Sequence, residues 1–257
     1  MLITTAVVPG PPAFVVELMG SAAHELNDLR EATDLVVSRA LSDLVAASAG
    51  SASSGSGSGP VQLVVVGPGQ PGEFNAAGPV SFSSFGRDFV VPALVEGQPA
   101  DGELPTPILV ARYLASRDIA THPEHAELWE SARWITTGGA EGVRLGKALS
   151  ADRVGVGLIL VADGAACHGP KAPRAHDPRA QTYDDALWAA LACGRPGRLA
   201  QIDADLGDEL GATGSQVWPL LVAAAGAADV DVVGEVLWAG APYGVGWAVA
   251  SWRRPCQ

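Results

Sequence analysis

His168 is the residue whose type and setting best suit proton chemistry. It stands in the stretch 158–173, LILVADGAACHGPKAP, where an apolar run breaks at Asp163-Gly164 and delivers a histidine into a glycine-flanked loop. Imidazole changes charge near neutral pH, so a histidine just past the end of a buried strand is placed for general acid–base work. Lys171 and Arg174 follow closely and could attract an anion or a phenolate. The competing reading is a structural loop histidine. Cys167 precedes His168, but neighbours in sequence point apart, and a small buried cysteine is commoner than a thiol nucleophile.

The other candidates are weaker. His122 and His125, three apart, would share a helix face and could hold a metal. Pro123, Glu124 and Glu127 favour a solvated loop instead. His176 lies in the polar run 171–179, as a surface residue or at the mouth of a site, and His24 lies in a first helical turn. Gly67-Pro68-Gly69 superficially suggests a phosphate loop, but proline removes an amide donor and no helix opens behind it. The run 67–72, GPGQPG, has the glycine spacing of a dinucleotide fingerprint but opens no helix, and no P-loop or nucleophile elbow occurs.

The elements that must position these residues read as alternating strands and helices. Leu2–Val8 is a buried strand ended by Pro9-Gly10-Pro11-Pro12. Ser21 can cap the following helix, whose face Leu26, Leu29, Thr33, Val36, Val37, Ala40, Leu41 and Leu44 is apolar at helical spacing. Residues 46–60, AASAGSASSGSGSGP, form a Gly/Ser-rich insertion expected to be a flexible connector inside one domain. Strand 61–66 ends at Gly67, and loop 70–78 follows. Segments 80–85 and 87–91 read as a hairpin around Gly86. Helix 108–116, strand 129–136, helix 140–149 and the central strand 153–162 come next. Helices 183–193, 196–202 and 215–225, the last capped by Ser215, precede closing strands 230–238 and 245–252. This pattern predicts an α/β fold: a single domain over 1–257 with a central, mostly parallel mixed sheet and helices on both faces. In such sheets ligands bind outside the carboxyl ends of the strands.

Composition narrows the class. The 257 residues are 48% hydrophobic and carry a net charge of −12, which argues against nucleic acid or an anionic membrane as a partner. Cys167, Cys193 and Cys256 are too scattered for a zinc set or a disulfide framework. The N-terminal segment lacks the basic region of a signal peptide, and no apolar run suits a membrane span. A cytoplasmic location is the expectation. Trp129, Trp134 and Trp252 could serve an interface or fill the core.

Four motifs occur in order: a strand running into PGPP at 7–12, a strand running into GPG at 64–69, DGAACH at 163–168, and APYGVGW at 241–247. With them the chain resembles the LigB-type class III extradiol ring-cleavage dioxygenases, whose fold is shared by the Memo proteins. The resemblance covers nearly the whole chain. It implies an Fe(II) site of two histidines and a glutamate that opens to dioxygen and a catechol. Here Gly10 and Gly69 stand at the two histidine positions. Gln216 stands at the glutamate position, with Glu209 as a nearby alternative. The catalytic base of the family falls on His168.

The resemblance thus implies the fold with its iron site erased, since glycine has no ligand atom and an amide oxygen is a poor partner for Fe(II). Rescue would need His122, His125, His176 or Glu73. The first expectation is a metal-free, non-catalytic binding or regulatory protein with no cofactor. Its cleft would be lined by Gly10, Gly69, His168, Lys171 and Gln216, would take a small aromatic or anionic ligand, and would sit in a possible homodimer. The alternative is an enzyme, either an Fe(II) dioxygenase with displaced ligands or a metal-free enzyme using His168.

Overall fold

Strand alternation explains how one sheet carries two cores. In the computed structural model, which describes residues 1–53, 60–226 and 232–254, successive residues of the central strands point to opposite faces. In β7 (Gly155–Val161), Leu158 and Leu160 enter one core while Ile159 and Val161 enter the other. The same split holds in β1 (Leu2–Val8), where Ala6 and Val8 oppose Val7. In β2 (Val61–Pro68), Leu63 and Val65 oppose Val64 and Val66. Strands apolar on both sides need cover on both sides.

The chain supplies that cover in order. The four-residue α1 (Val16–Met19) leads into the long α2 (Asn27–Ser53), and after β2 come β3 (Gly72–Phe74) and the short pair β4 (Val80–Ser81) and β5 (Val90–Val91). Helices α3 (Thr106–Thr121) and α4 (Ala126–Glu130) join α2 on one face, and β6 (Arg133–Thr137) returns to the sheet. Helix α5 (Gly139–Ala151) lies on the other face. There it is joined by α6 (Arg179–Cys193), α7 (Pro196–Leu199), α8 (Ala204–Leu210) and α9 (Trp218–Ala225). Strands β8 (Val233–Gly240) and β9 (Trp247–Arg253) close the sheet.

The seven-stranded sheet has the order β3-β6-β2-β7-β1-β9-β8. Strands β6, β2, β7 and β1 run parallel to one another, whereas β3 pairs antiparallel with β6, and β9 antiparallel with both β1 and β8. This is a single-domain α/β fold with a mixed central sheet. Two glycines let helices pack closely against the sheet and one another. A Cβ on Gly157 would come within 2.2 Å of Leu44 Cδ1 of α2, and one on Gly146 of α5 within 2.4 Å of the Leu220 carbonyl oxygen of α9.

All eight residues expected on the apolar face of the first helix are buried. Several other expectations need correction. Residues 46–53 of the Gly/Ser-rich insertion belong to α2, because alanines extend a helix already anchored by packing. Its residues 54–59 lie outside the described ones, as do 230–231 of the expected closing strand and Cys256. Ser21 caps no helix through its side chain. It lies inside a 3₁₀ turn, Gly20–Leu26, and its carbonyl oxygen is 2.9 Å from His24 Nδ1.

The hairpin pairs only at Val80 with Val91 and Ser81 with Val90, and a 3₁₀ turn closed by Gly86 at φ 77° replaces the rest. Trp129 lies in α4 rather than a strand, and Ser215 lies in a 3₁₀ turn, Thr213–Gln216, ahead of α9. Trp129, Trp134 and Trp252 are all buried, so they fill the core and present no exposed interface. Loop 70–78 contains β3, which pairs back along β6 and so leads the chain away from the strand carboxyl ends. No helix among the described residues is long and apolar enough to cross a membrane.

Candidate functional site

Because β1 and β2 both run parallel to β7, three loops leave the sheet at one edge. They are Pro9-Gly10-Pro11-Pro12 after β1, Pro68-Gly69 at the end of β2, and Ala162-Asp163 after β7. Together they line a cleft of about 470 Å³. Thr106 and Pro107 at the start of α3, Thr213 and Gln216 of the 3₁₀ turn, and Val245 ahead of β9 complete it. Gly10, Gly69 and Gln216 therefore converge as expected. His168 and Lys171 are not in the lining, and Lys171 is exposed.

The two glycines are closely fitted. A Cβ on Gly10 would lie 2.7 Å from Val161 Cγ1, so something would have to shift to admit a side chain. Gly69 has φ 152°, and a Cβ there would lie 3.3 Å from Thr136 Cβ. Both positions line the cleft yet leave little room for a side chain.

The ionisable group of the cleft is Asp163. Its Oδ1 accepts a hydrogen bond from the Gly10 amide at 2.9 Å, while its Oδ2 makes none among the described residues. The carboxyl is enclosed by protein except where the cleft reaches it. Burial pushes its pKa up to about 6, the Gly10 N–H opposes that rise, and the nearby Asp184 carboxyl adds to it. A carboxyl that titrates near neutral pH can accept, donate or exchange a proton there.

His168 has a different partner. Its Nε2 lies 2.6 Å from Oδ2 of Asp184, which is fully buried on α6. The Ala165 amide also donates to Asp184. Desolvation raises the Asp184 pKa, and its bonds to Ala165 and His168 oppose the rise. The loop glycines make room for this carboxylate. A Cβ on Gly164 would lie 2.3 Å from Asp184 Oδ1, and one on Gly246 only 1.7 Å from Oδ2. The two segments also pair through their backbones, Gly164 N–H to the Gly246 oxygen at 2.6 Å and His168 N–H to the Gly244 oxygen at 3.0 Å. Motifs 163–168 and 241–247 thus enclose one histidine–carboxylate hydrogen bond.

Sequence reasoning missed Asp163 and Asp184. Asp163 was visible only as a strand breaker. Asp184 had a faint signal, since it falls among Ala180, Leu187 and Leu191 on the apolar stripe of its helix. Helix α8 was missed as well, although Asp203 caps it by accepting from the Leu206 amide at 3.0 Å and Gly211 ends it at φ 72°.

The remaining candidates are committed elsewhere. Cys167 is buried, and burial pushes its thiol pKa up, the wrong direction for a nucleophile. His176 Nδ1 accepts from the Gly169 amide at 2.9 Å. Glu73 forms a two-pronged pair with Arg133 at 2.8 and 2.9 Å, and Glu209 pairs with Arg179 at 2.9 Å. His122 stacks on His125 with ring centroids 5.2 Å apart.

His125 is buried, contrary to the expectation of a solvated loop. Its Nδ1 lies 3.0 Å from Asp118 Oδ2 and its Nε2 3.3 Å from Ser42 Oγ, a chain of groups resembling a hydrolase triad. Ser42, however, sits in the middle of α2, where the neighbouring amides are spent on helix bonds and cannot form an oxyanion hole. Asp118 also accepts from Trp129 Nε1 at 2.8 Å, so the cluster ties α2, α3 and α4 together. Among the described residues no three His, Cys, Asp or Glu side chains gather as a metal site.

A second, larger cavity of about 510 Å³ lies between α5, α7 and α9, lined by Val143, Leu199, Trp218 and Val222 among others, with Lys147. It is more apolar than the cleft and takes nothing from the strand carboxyl ends. The cleft, which holds Asp163 with a free oxygen, is the better chemical site.

Comparisons with known proteins add little. No family model matches the chain, and no curated protein does. Among solved structures, the crystal structure of the uncharacterized protein JW3007 from Escherichia coli K12 aligns over 97% of this chain and 99% of that one. The identity is 14% and the TM-score 0.44, too loose a likeness to carry an argument.

Proposed function

We propose that the chain is a LigB/Memo-like protein without iron, whose cleft at the strand carboxyl ends binds a small molecule without opening an aromatic ring. One observation carries the reading. The three positions that correspond to the family's metal ligands, Gly10, Gly69 and Gln216, line one cleft and offer a single neutral oxygen as a ligand atom. Asp163 adds one carboxylate. The Fe(II) site of the family needs two imidazoles and a carboxylate, and these residues do not fit it. The tight fit at Gly10, where even a Cβ would meet Val161 at 2.7 Å, supports a site that works with glycine there rather than one awaiting a metal ligand. His168, the counterpart of the family's base, serves Asp184 and stands behind the cleft wall.

Metal analysis tests this reading. Protein purified without an affinity tag and loaded anaerobically with Fe(II) is expected to retain far less than one iron per chain after desalting. Stoichiometric iron would overturn the assignment, and catechol ring cleavage would then be the activity to assay.

A further inference from the structure

We propose that the cleft takes a small organic cation, with an ammonium or guanidinium group against Asp163 and an apolar body against the surrounding prolines and valines. This deepens the preceding proposal and rests on its reading of the cleft as a metal-free binding site.

The argument begins with unbalanced charge. Two carboxyls lie near the sheet edge, Asp184 fully buried and Asp163 half-buried in the cleft lining. Asp184 is answered by the His168 ring and the Ala165 amide. Asp163 is answered only by the Gly10 amide, through one oxygen, and the other oxygen is left to the cleft. Among the described residues the groups acting on the Asp163 carboxyl are the Gly10 amide from the β1 end and the Asp184 carboxyl from α6, and Thr213 Oγ1 accepts from the Asp163 backbone amide; none is cationic. Among the described residues no lysine, arginine or histidine lines the cleft. Arg174, packed beside Gly211, directs its Nη1 to the carbonyl oxygens of Asp208 and Glu209 at 3.1 Å each and is not in the lining.

Such a site repels the aromatic acid or other anion expected from the sequence. Like charges in a poorly solvated cleft oppose each other, and an anionic ligand would find no partner. A cation gains the same interaction with reversed sign, and the net charge of −12 raises its local concentration. A bare divalent metal ion is a poor occupant, since a lone carboxylate among prolines cannot replace its hydration shell. The apolar lining, Pro11, Pro12, Pro107, Val161 and Val245, instead suits a hydrocarbon or aromatic body attached to the charge.

The test uses three probes of similar shape, benzylammonium, benzyl alcohol and benzoate. Each is titrated into the full, isotope-labelled chain at pH 7.5 while the amide resonances of Gly10, Gly69 and Ala166 are followed. Benzylammonium is expected to shift them saturably and to bind at least about ten-fold more tightly than benzoate or the alcohol, the scale of a hydrogen bond to a charged group. Its affinity should fall as the pH is lowered through the titration of Asp163. Asp163→Asn keeps an acceptor for the Gly10 amide and should bring the three probes within about two- to three-fold of one another. Gln216→Glu, which adds a carboxylate, should tighten benzylammonium.

If benzoate or benzyl alcohol binds as tightly as benzylammonium, or the preference survives Asp163→Asn, the cation inference falls. The small-molecule cleft would then stand. If none of the three shifts these amides, the cation inference falls together with the binding reading.

Discussion

Asp163 sets the cleft against the stability of the fold. Its pKa is raised from 3.8 to about 6, so the folded protein holds this proton to a higher pH than the unfolded chain does. Below about pH 4 both states are protonated and the burial costs nothing. Between about pH 4 and 6 the unfolded chain releases its proton first, and stability falls as pH rises. Above pH 6 the full cost remains, about 3 kcal/mol for a shift of about two units. Asp163→Asn removes the titration while keeping the shape. In urea denaturation the variant should match the parent near pH 4 and exceed it by about 2–3 kcal/mol at pH 7.5. Equal stability at both pH values would mean that Asp163 is an ordinary solvated carboxylate. A destabilising charged group retained in a cleft is a mark of function, because stability alone would remove it.

At the scale of elements, the cleft depends on how closely helices approach the sheet and one another. Gly146 lets α5 lie against the backbone of α9, and the 3₁₀ turn that carries Gln216 leads directly into α9. Gly146→Val would place its Cβ about where the Leu220 carbonyl oxygen now excludes it, and a backbone oxygen cannot rotate aside as a side chain can. The expected cost is about 3 kcal/mol in chemical denaturation, at the upper end of overpacking effects, together with shifted amide resonances around Gln216. A loss below about 0.5 kcal/mol would show that α5 and α9 separate freely and do not fix the turn. Loop 163–168 is held differently, by pairing with residues 244–246 and by the His168–Asp184 bond, so the cleft has one wall set by helix packing and another set by hydrogen bonds.

For the molecule as a whole, the sheet order places β7 between β2 and β1, with helices over both of its faces. It is the strand least able to open locally. Strand β3 has three residues and one partner at the edge. Hydrogen exchange should therefore be slowest at the amides of residues 157–160 in β7 and among the first to complete in β3. Comparable protection in the two strands would mean that the sheet opens as one unit from the edge. Because the cleft is built at the ends of β1, β2 and β7, its floor belongs to the most protected part of the fold, which favours a preformed site over one assembled on binding.

Sequence alone determined the layered α/β plan. Strands that are apolar at every position need cover on both faces, and the eight-residue stripe from Leu26 to Leu44 could only be a helix face. It also placed a loop after each of three buried strands, since PGPP, GPG and DGAACH each break one, whereas the grouping of Gly10, Gly69 and Gln216 was implied only by the family resemblance. Tertiary structure decided the chemistry. Whether His168 points into the cleft or behind it depends on Asp184, which is 16 residues away and recognisable only once α6 is docked. Whether Asp163 is an ordinary strand breaker or a carboxyl with a raised pKa depends on how deeply the loops enclose it. Hydrophobic periodicity is a local property that one stretch of chain can display. Partners and burial are properties of several stretches brought together, and they set the charge and proton affinity of this site.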